Sequence, residues 1–192
     1  MAAGWERRRS LFARATALLS ERMVELLDPR PGQLLLELAA GPGETGFQAL
    51  PRLRPGGRAV LAVWASSRLN PWMTAGGKTA VELGFTDPPD RDAPGPFRLS
   101  DPEGLRAVVA AAGLLLEGLE DVPVAWAASS LDEWWETSKD TSRMLTTLLE
   151  RLTEDEARAL RAGAEAHLRE YVADDGSIAV PGLARVVVAT AP

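Results

Sequence analysis

The run Gln33-Leu34-Leu35-Leu36-Glu37-Leu38, followed by Ala39-Ala40-Gly41-Pro42-Gly43-Glu44-Thr45-Gly46, constrains this chain more than any other feature. A short apolar run closed by small residues predicts a strand buried on both faces, as strands of parallel sheets are. The glycines at 41, 43 and 46 then let the chain turn sharply, and let a ligand approach backbone where a Cβ would collide. Thr45 to Leu53 suits a short helix, Pro55-Gly56-Gly57 a turn, and Arg58 to Trp64 a second buried strand. Strand, helix and strand make one right-handed crossover unit. An open α/β sheet is therefore expected, with its ligand at the carboxyl end of the first strand.

The remaining chain supplies elements around that unit. Apolar residues from Trp5 to Leu27 recur at three- and four-residue steps, predicting one amphipathic helix over 4–27 that Asp28-Pro29 and Pro31-Gly32 end. The stretch 70–96 is rich in Pro and Gly and carries one short helix, Thr74 to Leu83. Ser100-Asp101-Pro102-Glu103 reads as a capping box, opening a helix over 101–112 that Gly113 closes. A strand is expected within Glu117 to Trp126. The Ser/Thr-x-x-Glu pairs at Ser130 and Thr153 open helices near 131–139 and 154–171, with another near 142–152. After the turn Asp174-Asp175-Gly176, Ala184 to Thr190 forms the last strand. At 192 residues, this organisation predicts a single domain over 1–192: an N-terminal helix in 1–30, a sheet core in 33–126 and 176–192, and a helical insert over 129–172.

Composition excludes several kinds of chemistry. Without cysteine the chain has no disulfide, thiolate metal site or Cys nucleophile. A single histidine, His167, with no carboxylate cluster beside it predicts no metal site. Charge-free stretches such as Ala107 to Leu116 fall far short of the ~18 residues that span a bilayer, and Arg14 and Glu21 interrupt any leader-like apolar core. A soluble, cytoplasmic protein is expected. Residues 1–81 hold 11 Lys/Arg and 6 Asp/Glu, whereas 82–192 hold 10 and 21. The basic half has no aromatics interleaved with its arginines and no recognised nucleic-acid motif, so no nucleic-acid partner is expected.

By letters alone Gly41, Gly43 and Gly46 spell G-x-G-x-x-G, which admits a nicotinamide or flavin dinucleotide. Pro42 and Glu44 in the loop oppose that reading, since Glu44 would face a pyrophosphate with like charge. A cofactor carrying an amino group and a sulfonium suits an acidic loop better. The order acid-x-(Gly/Ala)-x-Gly-x-Gly after an apolar strand resembles the first motif of class I S-adenosylmethionine-dependent methyltransferases. The form Leu36-Glu37-Leu38-Ala39-Ala40-Gly41-Pro42-Gly43-Glu44 is similar to the type 11 group related to ubiquinone and menaquinone biosynthesis methyltransferases. Residues 5–27 resemble that group's lid helix, 54–64 its fifth strand with the preceding turn, Asn70-Pro71-Trp72 the entry to its substrate region, and 96–113 its last large helix.

The resemblance implies that the Gly41-Pro42-Gly43 backbone approaches the methionyl and ribose portions of S-adenosylmethionine. It also implies that Glu37 orients the cofactor's amino group, and that Ala39 stands where glycine is more usual. Trp64, Asn70 and Trp72 would lie on the side of a small-molecule methyl acceptor; Trp126, Trp134, Trp135 and Met144 either line an apolar acceptor pocket or pack the core. The resemblance points to no catalytic residue. His167, on a helix face with Leu160, Ala164 and Tyr171, is either a base or a packing residue. Asp132, Glu133, Glu136, Glu154, Asp155 and Glu156 read as helix-start and surface charges.

The same resemblance exposes a gap. Near Leu50 and Pro51 the family would place three further strands with their helices, roughly 70–90 residues. It would also place a carboxylate about 20 residues beyond the glycines to hold the ribose hydroxyls. From Thr45 through Val81 the chain has no Asp or Glu. Two lost charge-assisted hydrogen bonds, at about 1.5–3 kcal/mol each, weaken cofactor binding roughly 10²- to 10⁴-fold. The expected fold is thus a truncated Rossmann-like sheet of about four strands. Its order is first, fifth, last, sixth, with the last strand antiparallel. Two alternatives to an active methyltransferase stay open: a non-catalytic interaction module, for instance a homodimer, and a nicotinamide dinucleotide-binding protein.

Overall fold

The computed structural model describes residues 7–28, 56–90 and 95–192. The strand expected at 33–38 and the loop Glu37 to Gly46 lie outside them. The described residues hold seven α-helices, α1 (Arg9–Ala15), α2 (Ala17–Leu27), α3 (Pro71–Glu82), α4 (Pro102–Ala111), α5 (Leu131–Thr141), α6 (Arg143–Leu149) and α7 (Glu154–Ala166). They also hold three strands, β1 (Arg58–Trp64), β2 (Leu115–Ala128) and β3 (Ile178–Thr190), forming one antiparallel sheet in the order β1-β3-β2. The register pairs Arg58 with Thr190 and Trp64 with Ala184. The chain divides into two compact units: Met1–Thr16, Ser67–Pro89 and Val124–Gly182 in one, and Ala17–Ser66, Asp90–Pro123 and Leu183–Pro192 in the other.

The second of these units is a sheet with helices packed on it. Ala59 of β1 and Val187 and Ala189 of β3 bury against Leu105 and Val109 of α4 and against Leu114. Because successive strand residues alternate faces, Val60, Ala62 and Trp64 point to the opposite face from that cluster. β3 is central in the sheet, and its residues 184–189 are all buried, as a strand covered on both sides requires. Arg22 of α2 grips Glu120 of β2 with two hydrogen bonds, of 2.6 and 3.0 Å. Buried Arg185 donates to Asp121 at 2.6 Å and to the Ser100 carbonyl at 2.5 Å.

The other unit is mainly helical. α3 and α7 approach closely because Gly163 carries no side chain opposite Thr79. Leu145 of α6 lies 3.8 Å from where a Cβ on Gly76 would stand. Leu160 and Ala164 of α7, and Leu168 just beyond it, are fully buried, so the apolar face of α7 is spent on packing.

Several local expectations need correction. The single N-terminal helix is two helices, broken at Thr16 (φ −106°, ψ 12°), whose hydroxyl donates to the Phe12 carbonyl at 2.9 Å and competes with helix continuation. α3 starts at Pro71, which suits the first helical position because its missing N–H would have no partner there. The cap of α4 is Asp101, not Ser100: its carboxylate accepts from the Gly104 N–H at 2.8 Å. Gly113, at φ +75°, then lets the chain leave the helix. The helix expected over 154–171 stops at Ala166, with His167 as its C-cap and a 3-10 turn over Arg169–Tyr171. The last strand begins six residues early, at Ile178, and runs through Pro181 and Gly182.

Candidate functional site

Of the residues expected to hold a cofactor, Glu37, Ala39, Gly41, Pro42 and Gly43 lie outside the described residues. The three expected on the acceptor side are described. Trp64 ends β1, half-buried, in the sheet unit. Asn70 and Trp72 belong to the helical unit, at the start of α3.

Asn70 and Trp72 are brought together around a glycine. Asn70 is fully buried and Trp72 is 7% exposed. A Cβ built on Gly182 would stand 2.8 Å from Asn70 Oδ1, Trp72 Nε1 and Val124 Cγ2. Only a residue without a side chain fits there, and this explains why β3 carries glycine in mid-strand. The Trp72 ring stacks on Trp126, with centroids 4.6 Å apart and planes 3° from parallel. Phe12 of α1 meets the Trp126 ring edge-on at 4.7 Å. Trp134 donates from Nε1 to the Trp72 carbonyl at 3.0 Å, and its ring lies 6.1 Å from that of Trp135. Trp126, Trp134 and Trp135 are 2%, 1% and 4% exposed, so these rings pack the core of the unit. Offset and edge-on pairs of this kind contribute about 0.5–1.5 kcal/mol beyond their burial. Met144 is elsewhere: half exposed on α6, its Cε lies 3.2 Å from the position of a Cβ on Gly77.

The titratable groups fall into structural roles with identifiable causes. Asp140 accepts from Arg7 Nη2 at 2.5 Å and from Arg8 Nε at 2.8 Å, and the Arg7 hydrogen bond leads in holding its carboxyl below the ordinary range. Glu133 accepts from both the backbone N–H and the hydroxyl of Ser129 at 2.7 Å, which lowers its pKa. The Ser130 hydroxyl accepts from the Glu133 N–H at 3.2 Å, so half of the expected capping box is made. Thr153 and Glu156 complete theirs, and the Thr153 N–H leads in lowering the Glu156 carboxyl. His167 sits between two α3 residues, with Nε2 2.8 Å from Glu82 Oε2 and Nδ1 3.4 Å from Lys78 Nζ. Both ring nitrogens are therefore engaged. Among the described residues no group of His, Asp or Glu is arranged to hold a metal ion, and no helix is long and apolar enough to cross a membrane.

Two surface cavities lie in the helical unit. One, of about 360 Å³, is lined by Thr86, Arg143, Met144, Thr147, Leu148 and Arg151. The other, of about 460 Å³, is lined by Glu136, Lys139, Asp140, Thr146, Leu149 and Glu150. No sequence reasoning singled out Arg143 and Arg151, although their eight-residue spacing with Thr147 midway marks one helical face.

Comparison with known proteins is sparse. No protein-family model matches the chain. No curated protein matches it either. Nineteen chains of solved structures do match. One is a protein from Bacillus halodurans C-125 assigned as a methyltransferase, 14% identical with a TM-score of 0.39. The match covers 79% of this chain and 64%, less than two thirds, of that one.

Proposed function

We propose that the chain is a class I methyltransferase-like protein that binds S-adenosylmethionine and transfers its methyl group to a small-molecule acceptor. The observation that carries this reading is the sequence Glu37-Leu38-Ala39-Ala40-Gly41-Pro42-Gly43 after an apolar run. An acid followed by two close glycines suits a cationic, amino-bearing cofactor. In this reading residues 1–192 form one domain, and the strand at 33–38 pairs with the edge of β1, which among the described residues has a neighbour only in β3. Gly41, Pro42 and Gly43 approach the cofactor, Ala39 stands in the loop where glycine is more usual, and Glu37 orients its amino group. When bound, the cofactor supplies an electrophilic methyl group; the chain contributes chiefly positioning. Trp64 is the acceptor-side residue with surface to offer. Asn70 and Trp72, being buried, act by fixing the chain that follows it.

A second reading is favoured by the absence of any Asp or Glu from Thr45 through Val81. Without a ribose carboxylate the fold would serve as a non-catalytic interaction module. Equilibrium dialysis with S-adenosylmethionine, on the chain and its Gly43→Val and Glu37→Ala variants, separates the two. Binding that both substitutions weaken supports the enzyme reading; equal retention by all three proteins contradicts it.

A further inference from the structure

The cavity beside α6 has a composition that the methyl-transfer reading does not use. Arg143, Met144, Thr147, Leu148 and Arg151 fall on one face of the helix and its C-terminal turn, and Thr86 faces them from the chain after α3. Arg143 opens α6 and Arg151 lies in the turn that follows it, with Thr147 midway in sequence. Both side chains line the same cavity and are long enough to converge over that hydroxyl. Both are exposed, and neither forms an ion pair among the described residues. On the neighbouring helix α7 the arginines behave differently: Arg158 pairs with Glu154 and Asp155, and Arg161 with Asp132 and Glu165. The nearest acid in sequence on the facing chain, Asp87, is exposed and pairs with neither. Glu150, beside Arg151 in sequence, lines the other cavity, which leaves two guanidinium groups without an ion pair at this one.

Met144 and Leu148 are the apolar part of the lining. Met144 is 49% exposed, and the lack of a side chain on Gly77 gives its thioether room against α3. Leu148, which is buried, completes the floor. A volume of about 360 Å³ lies at the small end of organic-ligand sites. Planar guanidinium forks bind carboxylate or phosphate oxygens with paired hydrogen bonds, and a flexible thioether packs well on aromatic or alkyl groups.

We infer that the groove formed by Thr86, Arg143, Met144, Thr147, Leu148 and Arg151 binds a small organic oxyanion with an apolar body, its acidic group between the two arginines. The ligand's acidic group is a carboxylate or a phosphate ester, since both present the oxygens that the arginines match.

The test is an amide-detected NMR titration of the full chain with phenyl phosphate, benzoate and inorganic phosphate at low salt. Phenyl phosphate or benzoate is expected to shift resonances of residues 143–151 and of Thr86. Inorganic phosphate should bind at least about fivefold more weakly, because it leaves Met144 uncovered. Whichever aromatic anion binds tighter names the acidic group. Raising salt tenfold should weaken binding several-fold. Arg143→Gln and Arg151→Gln should each weaken it, and together by about tenfold or more. Both sites are exposed, so folding is checked by the unchanged remainder of the spectrum, and Arg158→Gln serves as a control that leaves binding intact. Shifts absent from residues 143–151 with both aromatic anions, or a double variant that binds as tightly as the parent, would overturn the inference.

Discussion

Gly163 on α7 faces Thr79 on α3 so closely that a methyl group built on the glycine would stand 2.5 Å from Thr79 Cγ2. Thr79 is 2% exposed, and its hydroxyl donates to the Ala75 carbonyl at 3.0 Å, so the side chain has little freedom to yield. Two effects compete in Gly163→Ala. Alanine gains about 1 kcal/mol of helix propensity, while overlap in a packed contact costs about 1–3 kcal/mol. The overlap wins: Gly163→Ala should destabilise by roughly 1 kcal/mol in urea denaturation. Thr79→Ser removes the offending methyl and keeps the hydroxyl, so in that background the same alanine should stabilise. A sign that does not change between backgrounds would show that the two helices are not in this contact.

The stacked pair Trp72 and Trp126 holds the start of α3 in the helical unit. Trp126→Ala removes the stack and the Phe12 edge contact together, and should cost about 3–5 kcal/mol. Trp126→Phe keeps an aromatic face and should recover part of that loss. Denaturation midpoints of the two variants decide it, and a Trp126→Ala protein as stable as the parent would mean the ring is not core.

Asp140 links α5 to the residues that lead into α1. Its carboxyl is depressed, first by the Arg7 hydrogen bond. A depressed folded-state value means that the link is fully present above the ordinary carboxylate range near 4 and is lost as pH falls through the lower folded value. Hydrogen-exchange protection over α1, measured against the intrinsic rate at each pH, should therefore be high at neutral pH and fall at acid pH. Asp140→Asn should show the low protection already at neutral pH. Arg7 and Asp140 are partly solvated, so the effect is local and high salt should reduce it.

The Asp101 carboxylate accepting from Gly104 N–H gives a simpler measurement. Asp101→Ala should cost about 0.5–2 kcal/mol, the range for a lost N-cap, and Asp101→Ser should restore most of it. Ser100→Ala, at the position the sequence suggested as the cap, should be close to neutral.

Much of the architecture was legible because local signals and burial agreed. The capping residues at Thr153 and Ser130, the glycine at 113 and the apolar run at 58–64 each led to the element found there. Legibility failed where a local signal met a tertiary one. Pro181 and Gly182 argue against a strand when read alone, yet β3 continues through them because Asn70, Trp72 and Val124 fill the space beside Gly182. The apolar periodicity of 154–171 continues past the end of α7, since Leu168 is buried from a turn as well as it would be from a helix. Six tryptophans in a chain of this length invite an apolar pocket, but Trp72 packs on Trp126 and Trp134 on Trp135, all four buried. The cofactor loop, legible as a sequence motif, lies outside the described residues, so its chemistry rests on the residues themselves.

Isothermal titration calorimetry of the full chain with S-adenosylmethionine, with NADH as the comparison, decides whether the chain binds a methyl-donor cofactor. Saturable heat is expected for S-adenosylmethionine and none for NADH. A dissociation constant below about 100 μM would count against the non-catalytic reading, and a weaker one, up to about 1 mM, would fit the missing ribose carboxylate. No heat at millimolar S-adenosylmethionine would mean that the chain does not bind this cofactor and is no methyltransferase.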